Sequence, residues 1–445
     1  MQDFSSVIAI AVFIGVILAI SLEFLDLMIA GLLGALILVF THVMTLKEAI
    51  NYIGNSHGTL ALFLGVMILV RAFEPTKIFE YLATKMVLLA KGRGKFLLLG
   101  IVAITTPICA VLPNATTVML LAPLVPPIAA EMGVDFVPLL ILMVFVANSA
   151  GLLTLVGDPA TFIVGDAINI SFLDYLQRLS FGGFLALLVI VALLPVLFKD
   201  IWQTRFRDLE HLPHPQVNHP KVLAIGCLII SFVLLFFVIG DSFPIPISPA
   251  AVALLGATMA LLLAYKSKID TVNNILRDVD WSTLLFFMSI FVLIGGLEKT
   301  GVIAKLSSLL ALILGKNIFL GSILLIFVIG LLSSVVPNIP LVVAMVPLLK
   351  QYLVSVNLLT PEFLSPDYAG QFPPEVLPLF YAMMYGATLG GNGTLVGASS
   401  NIVAAGIAEQ HGQKITFHRF LRYGLIVMAL QLVVSAIYMM VFFIF

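Results

Sequence analysis

Charge is what this chain has least of. Lys, Arg, Asp and Glu make up 10% of its 445 residues, where an ordinary soluble domain carries about 25%. The signs nearly cancel, with 22 Lys and Arg against 23 Asp and Glu. No dense basic stripe exists, which excludes nucleic acid as a partner. The two cysteines, Cys109 and Cys227, both lie in apolar runs. They read as small core residues rather than a disulfide or a metal site. No His, Cys, Asp and Glu cluster has metal-ligand spacing. Clustered acids, histidines, or a nucleophile beside a base are also missing, so the chain does not read as an enzyme. Polar segments of domain size are absent. The longest, KDIWQTRFRDLEHLPHPQVNHPK from Lys199 to Lys221, reads as a surface connector. The first twenty residues lack the positive start and small-residue cleavage site of a signal peptide and read as a first membrane helix.

Apolar sequence is what abounds: 61% of residues are hydrophobic. Runs of the roughly 17–25 residues that cross a bilayer recur along the whole length. They predict spans near 6–22, 27–43, 59–73, 136–153, 180–198, 222–239, 248–265, 281–297, 377–393 and 422–443. Two further apolar regions, 96–130 and 318–349, each contain a Pro-Asn pair.

The chain repeats itself. TLALFLGVMILVRAFEPT from Thr59 matches TLLFFMSIFVLIGGLEKT from Thr283, 224 residues later. At that offset Glu74 meets Glu298, Pro113-Asn114 meets Pro337-Asn338, and Pro123 meets Pro347. A second pair follows: GLLTLVGDPATFIVGD from Gly151 resembles GNGTLVGASSNIVAAG from Gly391, at an offset of 240. The extra residues fall in the insertion around Asn357 to Glu375. Interruptions at corresponding places in two halves are the best sequence pointer to a transporter site. The halves divide at 1–198 and 222–445, joined by the connector 199–221.

Charge and symmetry suggest how the chain threads. If 96–130 and 318–349 enter and leave on one side, and 75–92 and 299–314 lie along the surface, 16 of the 22 basic residues share a side. Arg71, Lys77, Lys85, Arg93, Lys95, Lys266 and Arg419 are among them. Positive-inside bias makes that side cytoplasmic. Five crossings then separate Thr59 from Thr283, which inverts one repeat relative to the other. The expectation is an all-α polytopic membrane protein with two inverted repeats, about ten transmembrane helices, two re-entrant hairpins and both termini outside the cytoplasm. The competing threading has twelve plain crossings and parallel repeats.

The interruptions carry the candidate chemistry. Proline removes a backbone N–H and clashes with the preceding turn. The freed groups are tolerated at membrane depth only inside protein or along a watery cavity. The tip PNAT offers carbonyls, the Asn114 amide and the Thr116 and Thr117 hydroxyls around Ala115, hard oxygen ligands suited to an alkali cation. Each restarting helix points its N-terminus, which favours an anion, at the same place. TLVGDPAT adds Thr154, Gly157, Asp158 and Thr161. The second half adds Asn338, then Asn392, Thr394, Gly397, Ser399, Ser400 and Asn401. Together these would form one site near the midplane. The plainer alternatives are kinks, hydroxyls that bond their own backbone, and Asp158 as a cap for the helix after Pro159. Glu74 and Glu298 read as interfacial, and Glu409 and His411 as a cytoplasmic helix end. GNGTLVG lacks the Lys-Ser/Thr of a phosphate loop. The sequons at Asn114, Asn169 and Asn392 read as accidents.

At these motifs the chain resembles a known family. GATLGGNGTLVGASSNIVAAGIAEQHG, Gly386 to Gly412, is similar to the second-repeat signature of the melanosomal P protein and its bacterial relatives, and VGDPATFIVGD fits the first-repeat pattern. That group belongs to the ion transporter superfamily, with arsenite permeases, a type of sodium/proton antiporter and the divalent anion/sodium symporters. The resemblance covers essentially the whole chain. It implies broken helices, a scaffold (1–94 and 222–316), a transport part (95–198 and 317–445), elevator movement and a homodimer. In the symporters, Ser-Asn-Thr tips bind sodium and substrate. Asn114 and Asn338 hold the Asn position here, Pro113 and Pro337 replace Ser, and Ala115 and Ile339 replace Thr. P-protein relatives commonly carry Asp before that Asn. Proline in both halves removes two candidate carboxylates and favours an anion substrate. The resulting expectation is a secondary transporter of a small inorganic anion or carboxylate, in a bacterial inner membrane. Bound sodium is the one candidate ligand besides substrate and lipid. Efflux permease, sodium/proton antiporter and anion channel are the alternatives.

Overall fold

The computed structural model describes residues 2–22, 24–205, 216–366, 368 and 370–444. The first half contains α1 (Gln2–Ser21), α2 (Leu27–Phe40), α3 (Leu46–Asn55), α4 (His57–Arg71), α5 (Ile78–Ala90), α6 (Gly94–Cys109) and α7 (Asn114–Leu121). It continues through α8 (Val125–Met132), α9 (Val137–Ala150), α10 (Pro159–Ala167), α11 (Phe172–Arg178), α12 (Ser180–Leu197) and α13 (Lys199–Gln203). The second half runs through α14 (Pro220–Ile239), α15 (Pro249–Ser267), α16 (Val272–Arg277), α17 (Trp281–Lys299), α18 (Val302–Leu314) and α19 (Ile318–Ser333). It closes with α20 (Asn338–Ser355), α21 (Leu377–Gly390), α22 (Ser399–Gln410) and α23 (Phe417–Met439). Among the described residues there is no strand, only an isolated bridge between Arg93 and Arg205. Part of the expected connector, 206–215, lies outside the described residues, as do 367 and 369 of the insertion.

Nine of these helices, some extended by a short adjoining turn, are long and apolar enough to cross a membrane, or ten when the bent pair α18–α19 counts as one. The protein is an integral membrane protein. The second arms of both Pro-Asn regions, Asn114–Met132 and Asn338–Ser355, are among the nine. α18 and α19 meet at 118° across a break at 315–317, where Gly315 adopts φ +56°. Asn317 caps α19 there, accepting from the Leu320 N–H at 2.9 Å.

Proline and local polar groups set the other breaks. α6 ends at Cys109, and Pro113 stands as N-cap of α7 with φ −53° and ψ 140°. Pro337, at the same place before α20, has φ −52° and ψ 138°. Asp158 caps α10 ahead of Pro159 with φ −138° and ψ 127°, and Ala398 precedes α22 with φ −144° and ψ 147°. The two halves therefore break their helices with the same backbone geometry.

α4 and α17, the helices of the first matched sequence pair, run in opposite senses. Arg71, at the C-terminal end of α4, reaches Asp278 just ahead of α17 at 2.5 Å. At the other end, Tyr52 before α4 lies against Gly295 near the end of α17. α4 packs on α15, and α17 packs on α2. α9 and α21 are the most enclosed elements: every residue of Leu139–Ala150 and Pro378–Gly390 is buried.

One cysteine departs from expectation. Cys109 is buried, but Cys227 is exposed on α14. Lipid is as apolar as a protein interior, so an apolar run does not reveal which face a side chain takes.

Candidate functional site

The breaks are stitched to neighbouring backbone by matching contacts. Thr154 donates to the Ala110 carbonyl at 2.5 Å, and Thr394 donates to the Ser334 carbonyl, 224 residues beyond Ala110. The Cys109 thiol donates to the Ala147 carbonyl at 2.9 Å, as the Ser333 hydroxyl does to Ala387 at 2.6 Å. Gly157 and Gly397 hold the two loops close. A Cβ on Gly157 would stand 2.6 Å from the Cys109 carbonyl oxygen, and one on Gly397 would stand 3.0 Å from that of Ser333. Loose carbonyls are thus gathered at both breaks, inside protein rather than against lipid, as membrane depth requires.

Between the breaks lies a buried polar network centred on Asp158, which is wholly inaccessible to solvent. Asn114 from the first tip donates to Asp158 Oδ1 at 3.2 Å. Asn338 from the second tip donates to the same oxygen at 3.4 Å. Asp158 Oδ2 accepts from the Thr161 N–H at 3.1 Å, the Thr161 hydroxyl at 3.2 Å and the Thr388 hydroxyl at 2.9 Å. Asp158 therefore both caps α10 and ties the two tips together. Among the described residues no Lys or Arg is buried. The positive surroundings of Asp158 are donors and helix N-termini.

Asn148, on α9, extends the network. Its Oδ1 accepts from Asn114 at 3.1 Å and from Ser400 at 2.6 Å. Its Nδ2 donates to Asn392 at 3.0 Å and to Asn401 at 3.1 Å. Asn401 in turn donates to the Gly391 and Thr394 carbonyls at 2.8 and 2.9 Å. Asn392 also donates to Ser149 at 3.2 Å and to Gln431 at 2.8 Å. Two contacts mirror each other across the halves. Asn148 meets Asn401, and Thr388 meets Thr161 at 3.2 Å. Thr388 lies 240 residues after Asn148, and Asn401 lies 240 after Thr161.

Comparison with known proteins matches residues 13–365 to CitMHS, described as a citrate transporter. The chain belongs to the CitMHS citrate transporter family. It is 73% identical to an uncharacterized transporter of Synechocystis sp. over 97% of this chain and 96% of that protein. It is 31% identical to an uncharacterized transporter of Mycobacterium tuberculosis, with 98% of each chain covered. The P protein of Homo sapiens is 29% identical over 98% of this chain and 59% of that protein.

Within this CitMHS member the expected site residues sort into groups. Asn114, Asp158, Thr161, Asn338, Asn392, Ser400 and Asn401 join the network. Thr154, Gly157, Thr394 and Gly397 shape the breaks. The Ala115 N–H is taken by the Asn114 side chain at 2.8 Å. Thr117 is buried with its hydroxyl unpartnered. Ser399 opens α22 half-buried. Thr116 turns away from the network into a cavity. Sequence reading missed Asn148, Ser149, Thr388 and Gln431. The signal for each was a polar residue inside an apolar span, with Asn148 and Ser149 side by side, and for Thr388 its offset from Asn148.

Two cavities lie at opposite ends of α4. The first, about 390 Å³, is lined by Thr116, Met119 and Pro123 on the first tip's second arm, and by Arg71, Glu74 and Asp280. The second, about 240 Å³, is lined by Val343, Pro347 and Lys350 on the second tip's arm, and by Ser56, Asp166 and Glu298. Met119, Pro123 and Glu74 of the first become Val343, Pro347 and Glu298 of the second at the 224-residue offset, and Ser56 becomes Asp280. Glu74 and Glu298, expected at the interface, line these cavities. Glu74 is paired with Arg71 at 2.5 Å. His411 sits at the end of α22, its ring nitrogen 2.9 Å from the Ile407 carbonyl. Among the described residues no group of three His, Cys, Asp or Glu could hold a metal ion.

Proposed function

We propose that the protein is a secondary active transporter of a small anion, with carboxylates the leading class. The observation that carries this reading is the convergence of both Pro-Asn tips on one buried carboxylate, in a fold with two cavities of equivalent lining at opposite ends of α4. A single polar centre approached from two opposite ends suits alternating access. With no buried Lys or Arg among the described residues, helix N-termini, amides and hydroxyls are the groups left to hold an anion. The family's description as a citrate transporter supports a carboxylate.

Asp158 places an acidic group where an anion would dock. The anion then needs a cation or proton beside it, which makes sodium or proton coupling part of the proposal. The antiparallel course of α4 and α17 supports inverted repeats. On this reading the scaffold comprises 1–94 and 222–316, and the transport part, 95–198 and 317–445, moves as an elevator. Ten crossings, two re-entrant hairpins, non-cytoplasmic termini, a homodimer and a bacterial inner-membrane location complete the proposal. One observation favours a second reading, a sodium/proton antiporter: the centre holds a carboxylate and no basic side chain.

Proteoliposome flux separates these readings. Citrate and smaller carboxylates are offered with and without imposed sodium and proton gradients. Saturable, gradient-driven uptake with counterflow is expected. Asp158→Asn should change its dependence on the ion. Sodium/proton exchange without anion flux would select the antiporter, and flux without saturable counterflow would select a channel.

A further inference from the structure

We propose that the groove between α5 and α6 is a binding site for an anionic phospholipid. The groove encloses about 570 Å³. Leu82, Met86 and Leu89 of α5 face Phe96, Ala103 and Ile104 of α6 across it, and no carboxylate lines it. The floor is apolar and the rim is cationic. Lys85 lines one wall and is steadied by donating to the Tyr81 hydroxyl at 2.9 Å. Two more cations converge on the Phe96 ring, Arg93 at 5.8 Å and Lys95 at 4.9 Å from its centroid. None of the three has an acidic partner among the described residues.

The occupant must answer both features. Leu89 is 68% exposed and Phe96 41%, an apolar surface on which an acyl chain is held by van der Waals packing, since lipid tails are already as apolar as the groove. Basic residues near an anionic leaflet each add roughly 1 kcal/mol. A free phosphate would leave the groove without an acyl chain, and a zwitterionic lipid would gain little from three clustered cations. The head group belongs at the Arg93, Lys95 and Lys85 rim, with one chain laid along the groove toward Ala103 and Ile104.

The inference does not depend on the transport reading, and its test reads lipid rather than flux. The full-length protein is reconstituted in nanodiscs of equal phosphatidylglycerol and phosphatidylcholine, extracted in mild detergent and weighed by native mass spectrometry. Retained phosphatidylglycerol should exceed phosphatidylcholine at least tenfold. Lys85→Gln with Lys95→Gln should abolish that preference, and Ala103→Trp should remove bound lipid of both kinds. A size-exclusion profile like that of the unaltered protein shows each variant folded; if one fails to fold, Arg93→Gln replaces it and should reduce the preference. Equal retention of the two lipids, or retention unchanged in the variants, overturns the proposal. A dimer lost only in Ala103→Trp, with no lipid adduct, would put a second copy of the chain there instead and overturn it too.

Discussion

Thr388→Val tests whether Asp158 organises the centre. Valine keeps the shape of threonine and removes the hydroxyl that donates to Asp158 Oδ2 at 2.9 Å. A hydrogen bond to a charged group contributes about 1.5–3 kcal/mol, and a neutral one about 1. Thr388→Val alone should therefore cost about 2 kcal/mol of stability. Asp158→Asn removes the charge and turns one oxygen into an amide facing the Asn114 and Asn338 donors, so it should cost more. With asparagine at 158, the Thr388 bond is neutral at best, and the same valine substitution should cost only about 1 kcal/mol. The double-mutant cycle should then show a coupling of roughly 1 kcal/mol. Unfolding of the purified protein in mixed micelles, titrated with denaturing detergent, measures each corner. Strict additivity, within the roughly 0.3–0.5 kcal/mol typical of independent sites, would refute the idea that Thr388 acts on the Asp158 carboxylate.

Gly157→Ala should lower the yield of folded protein and cost about 1–3 kcal/mol by overpacking, because its Cβ would meet the Cys109 and Gly151 carbonyl oxygens at 2.6 and 2.9 Å. Gly15→Ala, with nothing within 4 Å, is the control and should behave as the unaltered protein; equal melting of the two would count against a tight break. Leu309 is exposed on α18, so Leu309→Cys with Cys227→Ser should react with an impermeant thiol reagent added outside intact cells. Labelling from the cytoplasmic side alone would favour the other threading. Lys299 donates to Glu48 at 2.7 Å, and that hydrogen bond holds the Glu48 carboxyl down at about 2. A carboxyl depressed in the folded state stabilises above its unfolded value, and that contribution is lost as pH falls toward 2. Lys299→Gln should therefore flatten the fall in melting temperature between about pH 4.5 and pH 2; an unchanged acid limb would show the pair to be energetically silent.

The sequence by itself determined where the helices break and that they break twice over. Pro113, Pro159 and Pro337 act on their own backbone, so their effect is local and readable. The offsets of 224 and 240 are one-dimensional facts, and the contacts of Thr154 and Thr394 repeat at them. The polar content of the breaks was legible for the same reason. Asp158 was singled out as the sole acid among the interruptions, with both capping and function open to it.

Only the tertiary structure decided what those residues meet. The partners of Asp158 come from 44, 180 and 230 residues away, and no periodicity in an apolar chain encodes which helices will touch. Asn148 and Gln431 passed as incidental polar residues because each lies within an apolar helix rather than at a proline or glycine break. Their importance arises from Asn392 and Ser149 arriving beside them. Thr116 and Thr117, adjacent in sequence, point to different surroundings because one helical residue is a turn of about 100°. Cys227 faces outward for a related reason. In water, hydropathy separates inside from outside; in lipid both are apolar, and the side a residue takes is set by the helix packed against it.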